Sequence, residues 1–343
     1  MSYATPSFGM TLDCDLWHVN EVLKQAKLAD NEGFDNIWVS DHFHPWSHTG
    51  SHEAFTWVLI ASAAQATRRT IIGTLVTAPI LRYHPGIVAQ AFATLGAMYP
   101  KRIILGLGTG EAMNEVPLGY EWPPLAERLA RFEEAVRIIR LLWTKDFVSF
   151  KGTYYSLNRA NLYDKPTDPV PMFIASNGPV GTRLAGKYSD GFFTHVSAVG
   201  GVGGGGNHVK DRLFPALDQG AKDAGRDPKS IKKCVILPCS YDDDYDNALE
   251  SCGRKAANLV PGFFELNVCD PRMIEALGSL VNRKDYSKLW LIATDPEPLI
   301  KKAEEILRLG FSHLTFTNFG PDQNRFIQTC GRSVVPVLKD LFK

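Results

Sequence analysis

The sequence predicts a (β/α)8 barrel, and three observations lead there. Short apolar runs alternate with segments of helical period along most of the 343 residues, as expected of consecutive βα units feeding one parallel sheet. Eight such runs can be read along the chain, and eight strands close naturally into a barrel that removes both exposed sheet edges. Residues suited to chemistry rather than packing stand directly after several runs, where the strands of such a barrel carry their active sites. A doubly wound open sheet is the competing architecture. The expectation is one barrel domain over residues 1–343 with insertions at its C-terminal face.

Taken in order, the strand runs are 8–12, 36–39, 70–77, 103–107, 171–174, 191–194, 234–240 and 313–317, with an extra apolar run at 289–293. Amphipathic helices fall between them at 19–31, 85–98, 125–143 and 296–309. Pro296 suits a first helical turn, where its missing N–H costs nothing. Insertions interrupt the repeat near 147–157, with Lys151 and Gly152 at a hairpin-like turn, near 198–212, and at 242–288. The last is expected to roof the pocket, since loops on that face usually carry selectivity. The glycine-rich run at 200–206 reads as a lid, as a nest of N–H groups around an anion, or as a solvent loop.

Composition narrows the partner. Lys plus Arg number 37, Asp plus Glu number 37, and the cations are scattered rather than striped, so the footprint of a nucleic-acid binder is missing. A small or moderately charged ligand is expected. Cys14, Cys234, Cys239, Cys252, Cys269 and Cys330 show no CxxC spacing, and the N-terminal stretch lacks signal-peptide character, which predicts reduced thiols in the cytoplasm. No apolar run approaches the roughly 20 residues that span a bilayer.

The chemistry is expected at two strand ends. Ser40, Asp41, His42, Phe43, His44, Pro45 and Trp46 follow the second run. An imidazole there, beside a carboxylate and an indole, can serve as a base near neutral pH, whereas an isolated histidine more often only bonds a neighbouring loop. His44, His48 and His52 raise the question of a metal, but their uneven spacing without a companion cysteine predicts none. Glu111 follows the turn from Gly106 to Gly110 and reads either as a carboxylate in the barrel mouth or as a helix N-terminal charge. The glycines let backbone approach a ligand closely, yet the spacing is not the dinucleotide fingerprint. Asp15, in competition with Asp13, is a further polar candidate after the first run. Ala175, Ser176, Asn177 and Gly178 precede Pro179, where backbone donors suit an anion or simply make a tight βα turn.

These motifs resemble the luciferase-like superfamily of barrel oxidoreductases, in its branch that uses the deazaflavin coenzyme F420. The stretches 41–46, 87–100 (IVAQAFATLGAMYP) and 108–115 (GTGEAMNE) carry the likeness, and weaker similarity runs over nearly the whole chain. The secondary-alcohol dehydrogenases and the glucose-6-phosphate dehydrogenases of that branch are the near matches. The resemblance implies coenzyme F420 as cofactor, His42 as base, Trp46 at the reacting centre and Glu111 serving the ring or the proton transfer. It places Asp41, Leu75, Val76, Thr109, Gly110, Asn114, Ala175, Ser176, Asn177, Gly178, His195 and Val196 at the cofactor, with a non-proline cis bond between Leu75 and Val76. A homodimer is also implied.

Departures from the branch bear on substrate. Two lysines and an arginine that hold the sugar phosphate appear here as Ala198, Glu265 and Leu289, so a phosphorylated sugar is disfavoured unless Lys210, Arg212 or the glycine run rebuilds the site. Asp15 stands where the longer glutamate is usual. The expected reaction is hydride transfer from the carbinol carbon of a small unphosphorylated alcohol to C5 of the deazaflavin. The rivals are a sugar-phosphate dehydrogenase, an FMN-dependent monooxygenase on the same barrel, and a catalytically silent binder.

Overall fold

The structure, a computed structural model, describes residues 6–199 and 207–343, so the glycine run at 200–206 lies outside the described residues. The strands are β1 (Ser7–Leu12), β2 (Asn36–Val39), β3 (Ile71–Thr74), β4 (Ile103–Leu107), β5 (Val148–Lys151), β6 (Ser156–Ala160), β7 (Met172–Ala175), β8 (Gly191–His195), β9 (Lys232–Tyr241), β10 (Leu291–Ala293) and β11 (His313–Asn318). β1, β2, β3, β4, β7, β8, β9 and β11 pair in that order, all in parallel, and β11 pairs back onto β1 to close a (β/α)8 barrel. These are the eight expected runs. The extra run becomes β10, which joins only the end of β9, from Leu291 opposite Cys239 to Ala293 opposite Tyr241.

The barrel closes because large and small residues alternate across its interior. On β2, Ile37 and Val39 belong to the layer shared with the helices, while Trp38 points inward with Ile104, Phe173, Phe193 and Cys234. Its indole meets Phe193 edge-on at 4.7 Å. Room for that indole comes from Gly73 and Gly9, where an added methyl would stand 2.6 Å and 2.9 Å from indole atoms. Trimming Trp38 to Ala would remove about 3–5 kcal/mol of such packing.

β3 is shorter than the expected 70–77, because the chain leaves the ladder at a cis Leu75–Val76 bond and returns only as an isolated bridge from Thr77 to Leu107. Backbone groups freed there are still paired. The Thr74 hydroxyl donates to the Gly106 carbonyl at 2.7 Å, and the Thr77 N–H donates to the same carbonyl at 2.9 Å. A side chain at Gly106 would strike the Thr74 carbonyl, so this bulge requires glycine.

The insertions part company. The hairpin of β5 and β6 lies along the flank of the Leu125–Thr144 helix, where Glu134 accepts the N–H groups of Thr153, Tyr154 and Tyr155. It runs back along that helix until the Tyr155 hydroxyl donates to the Ile80 carbonyl at 2.6 Å in the loop after β3, and it lines none of the cavities described below. The segment after β9 does form a roof, built of short helical pieces at Tyr245–Ser251, Cys252–Leu259, Pro271–Ser279 and Arg283–Lys288. Asp244, Asp270 and Asn282 cap three of them by accepting the N–H groups of Asn247, Arg272 and Lys284. A cluster of Trp46, Met113, Ala257, Phe263 and Ile274 fastens this roof to the loops after β2 and β4.

Candidate active site

His42 and Glu111 meet at the C-terminal mouth of the barrel, delivered by the loops after β2 and β4. Nε2 of His42 is 3.5 Å from Oε2 of Glu111, and the imidazole stands edge-on to Trp46 with ring centroids 5.8 Å apart. Burial pushes His42 down to about 3, and the nearby Lys255 ammonium pushes the same way. The imidazole is therefore neutral at pH 7. Burial raises Glu111 to about 7, outweighing Lys255 and Arg82, which favour its charged form.

Asp41 does not reach for the chemistry; it ties the mouth together. Its carboxylate accepts from Thr77 Oγ1 at 2.5 Å, Arg82 Nη2 at 2.8 Å, Trp57 Nε1 at 3.2 Å and the Tyr83 hydroxyl at 3.3 Å. The Arg82 backbone N–H in turn donates to Glu115 at 2.8 Å, so the loops after β2, β3 and β4 share one buried polar network. Asn114 accepts the Phe43 N–H at 2.9 Å and holds the His42 loop from the other side.

Three adjoining cavities open here. A slot of about 360 Å³ is lined by Leu75 and Val76 at the bulge, by Thr109, Gly110, Glu111 and Asn114, and by Ala175, Ser176, Asn177 and His195, with Asp41 and His42. Asn177 Oδ1 accepts from Thr194 Oγ1 at 2.9 Å and from the His195 N–H at 3.1 Å, which sets that wall. Burial holds His195 near 4, hence neutral. A groove of about 350 Å³ continues over Ser176, Asn177 and Gly178 at the N-terminus of the Pro179–Tyr188 helix, whose first turn has no side-chain cap. An inner cavity of about 350 Å³ runs beneath the roof, with His42, Trp46 and Glu111 on one side and Phe264, Leu289, Trp290 and Phe319 on the other.

Of the expected cofactor residues, Val196 stands apart, because its side chain is fully buried in the main core and lines none of these cavities. Asp15 is likewise withdrawn. Its carboxylate accepts from Lys255 Nζ at 2.6 Å and from the Trp46 N–H at 3.3 Å, while Asp13 and not Asp15 lines the inner cavity. Burial raises Asp13 to about 7; it opposes ionisation of Asp15 too, but the Lys255 charge and hydrogen bond lower that group overall. His44 bonds the Cys269 carbonyl at 3.0 Å, and among the described residues no cluster of three His, Cys, Asp or Glu side chains could hold a metal ion.

Two residues escaped the sequence reading. Lys255 comes from the roof, is almost fully buried, and lies 2.6 Å from Asp15 and 3.8 Å from Asp13. Its only trace in the sequence is a cation that follows Arg254 and precedes Ala256 and Ala257. Glu53 is 3.9 Å from His42 Nδ1, and beside the start of an apolar helix it looks like a capping carboxylate.

A parallel barrel with an imidazole and a carboxyl group facing each other beside a slot at its C-terminal mouth has the layout of a barrel enzyme. The chain belongs to the luciferase-like monooxygenase family, whose model matches residues 5–285. It is 39% identical over 334 residues, 97% of each chain, to an F420-dependent glucose-6-phosphate dehydrogenase of Nakamurella multipartita. Its fold superposes with a TM-score of 0.91, at 38% identity and over 98% of this chain and 99% of the other, on an F420-dependent secondary alcohol dehydrogenase in complex with an F420-acetone adduct. The F420-dependent tetrahydromethanopterin reductase of Methanopyrus kandleri shares the fold, with a TM-score of 0.80 at 23% identity over 98% of this chain and 100% of that one.

The site fits a deazaflavin on its own terms. The slot is walled by the bulge on one side and reached by Phe264 from the roof, and buried Oε2 of Glu111 has no hydrogen-bond partner within the protein. The adjoining groove presents uncapped helix N–H groups, which suit an anion.

Proposed function

We propose that this protein is an F420-dependent dehydrogenase that oxidises the hydroxyl-bearing carbon of a small unphosphorylated alcohol, with His42 as base. The 3.5 Å approach of His42 to Glu111 across the junction of slot and inner cavity carries the reading. Bound in the slot, the deazaflavin supplies the hydride-accepting carbon. The remaining work falls to the protein. Neutral Nε2 of His42 takes the hydroxyl proton as the carbinol C–H bond breaks, help that typically contributes about 10²–10⁴-fold. Trp46 and Phe264 exclude water from that junction, and Glu111 answers the charge that develops beside it.

The cations of the inner cavity support the unphosphorylated substrate. Leu289 lines the inner cavity and its Lys255 is already paired with Asp13 and Asp15, whereas in the outer pocket Glu265 accompanies Arg128, whose guanidinium stacks on Trp122. A phosphate dianion would meet no free cation among the described residues of the inner cavity. The relatives' activity favours glucose 6-phosphate as the second reading.

Anaerobic bleaching of oxidised F420 across secondary alcohols, sugars and glucose 6-phosphate separates these. Turnover with glucose 6-phosphate alone would refute the unphosphorylated substrate, and FMN-supported oxygen consumption without F420 reduction would refute the dehydrogenase. His42→Ala should lower turnover at least 100-fold while F420 affinity stays within about twofold; full turnover removes His42 as the base. The expected setting is the cytoplasm, in keeping with six cysteines that form no disulfide, and the expected assembly is a homodimer, read by sedimentation velocity.

A further inference from the structure

We propose that Glu53 is the terminal proton store of this reaction, and that His42 relays the substrate proton to it rather than keeping it. The inference rests on His42 being the base.

The imidazole has two ends in different surroundings. Nε2 faces Glu111 and the cavity, whereas Nδ1 is buried without a hydrogen-bond partner and lies 3.9 Å from Oε2 of Glu53. Both carboxyl oxygens of Glu53 are also buried and unpartnered within the protein, and its side chain is 7% exposed. Two unpaired polar groups of complementary kind, about an ångström beyond hydrogen-bonding reach, cost free energy apart and lose that cost by meeting. Catalytic hydrogen bonds commonly tighten in this way when substrate binds.

The groups acting on Glu53 decide where the proton rests. Asp13, Cys14 and Asp15 come from the loop after β1, Asp41 and His42 from the loop after β2, and Lys255 from the roof. Burial first, and then the Asp15, Asp13 and Asp41 carboxylates against the single opposing Lys255, raise Glu53 to about 9. The same burial and the same Lys255 make a charged His42 unfavourable. An imidazolium is thus a poor resting place, and a neutral Glu53 carboxylic acid a good one.

In oxidation the alcohol O–H bond breaks as Nε2–H forms, and the Nδ1–H bond breaks as the Glu53 Oε2–H bond forms. The carbinol C–H bond delivers its electron pair as hydride to the deazaflavin, the oxidant, and the alcohol becomes a carbonyl. Read backwards, the carboxylic acid of Glu53 recharges Nε2 as proton donor to a ketone. Glu53 touches neither substrate nor cofactor and acts through His42.

The test uses Glu53→Gln, which copies the shape and neutrality of the protonated acid and so should fold. In the ligand-free protein, 15N NMR of labelled histidine should show His42 neutral from pH 6 to 10, with its proton moving from Nε2 to Nδ1 at a midpoint near 9 in the native chain and no transition in Glu53→Gln. With F420, kcat/KM for alcohol oxidation should rise about tenfold per pH unit between about 7 and that midpoint, while Glu53→Gln loses both the slope and about 10²-fold or more in kcat with KM little changed. An unmoved His42 tautomer in the native chain, or a native pH slope retained in Glu53→Gln, overturns the relay. Loss in His42→Ala with no loss in Glu53→Gln would overturn the relay alone, whereas no loss in either would remove His42 as the base as well.

Discussion

Replacing Lys255 by Met should destabilise the protein by an amount the structure lets one work out. The ammonium is 5% exposed and bridges Asp15 and Asp13, themselves 3% and 9% exposed in their side chains. Met keeps the length and removes the charge, leaving two carboxylates in a dry site beside Glu53. Breaking a buried pair from one side typically costs about 3–5 kcal/mol, chiefly the desolvation of the charge left behind. Unfolding entropy near 2.1 cal/mol/K per residue over 343 residues amounts to roughly 0.7 kcal/mol/K, so Tm should fall by about 4–7 °C. Adding Asp15→Asn removes the stranded charge and should restore part of that loss, a coupling that a double-mutant cycle reads directly. The stranded carboxylates gain a raised folded-state pKa, so their penalty is full at pH 8 and shrinks as pH falls toward the unfolded value near 4. Differential scanning fluorimetry at pH 8 and pH 5 measures all three variants. A Tm for Lys255→Met within about 1 °C of the native chain, with no recovery in the double variant, would show that this ion pair does not hold the roof.

Two further outcomes are expected. Glu111, raised to about 7 by burial, loses its negative charge as pH falls through neutrality, so the pH–rate profile should bend near that value and Glu111→Gln should abolish the bend; an unchanged profile excludes Glu111 from the rate-determining chemistry. Burial favours protonation of Asp30, but the Thr70 hydroxyl and the N–H groups of Arg68, Thr70 and Arg69 outweigh it and hold the group near 2. The stability it contributes is present above the unfolded value near 4 and lost as pH falls through 2, so urea midpoints of Asp30→Ala and the native chain should converge between pH 4 and pH 2. A deficit that stays constant over that range rules out the linkage.

Much of this was legible in the residues. Eight apolar runs became eight barrel strands because a buried parallel strand needs only a short β-branched or aromatic run, which neighbouring sequence alone supplies. His42, Trp46 and Glu111 could be chosen because polar groups at strand ends have few packing reasons to be there. Asp15 and Val196 show the limit: each stands beside residues of the right kind, yet one turns to Lys255 and the other into the core. Strand periodicity assigns a residue to a face, but after the last ladder bond the loop is free of that rule and its side chains go where partners are.

The sequence by itself therefore determined the barrel and the imidazole and carboxyl groups offered at its strand ends, since all of these depend on short-range pattern. Tertiary structure alone decided what surrounds them. Lys255 reaches Asp15 across 240 residues of chain, and Glu53 comes to lie behind His42 only when the loop after β2 folds under the roof. The charge state of a buried group is set by desolvation and by neighbours a few ångströms away, and neither quantity exists until the chain has closed around it.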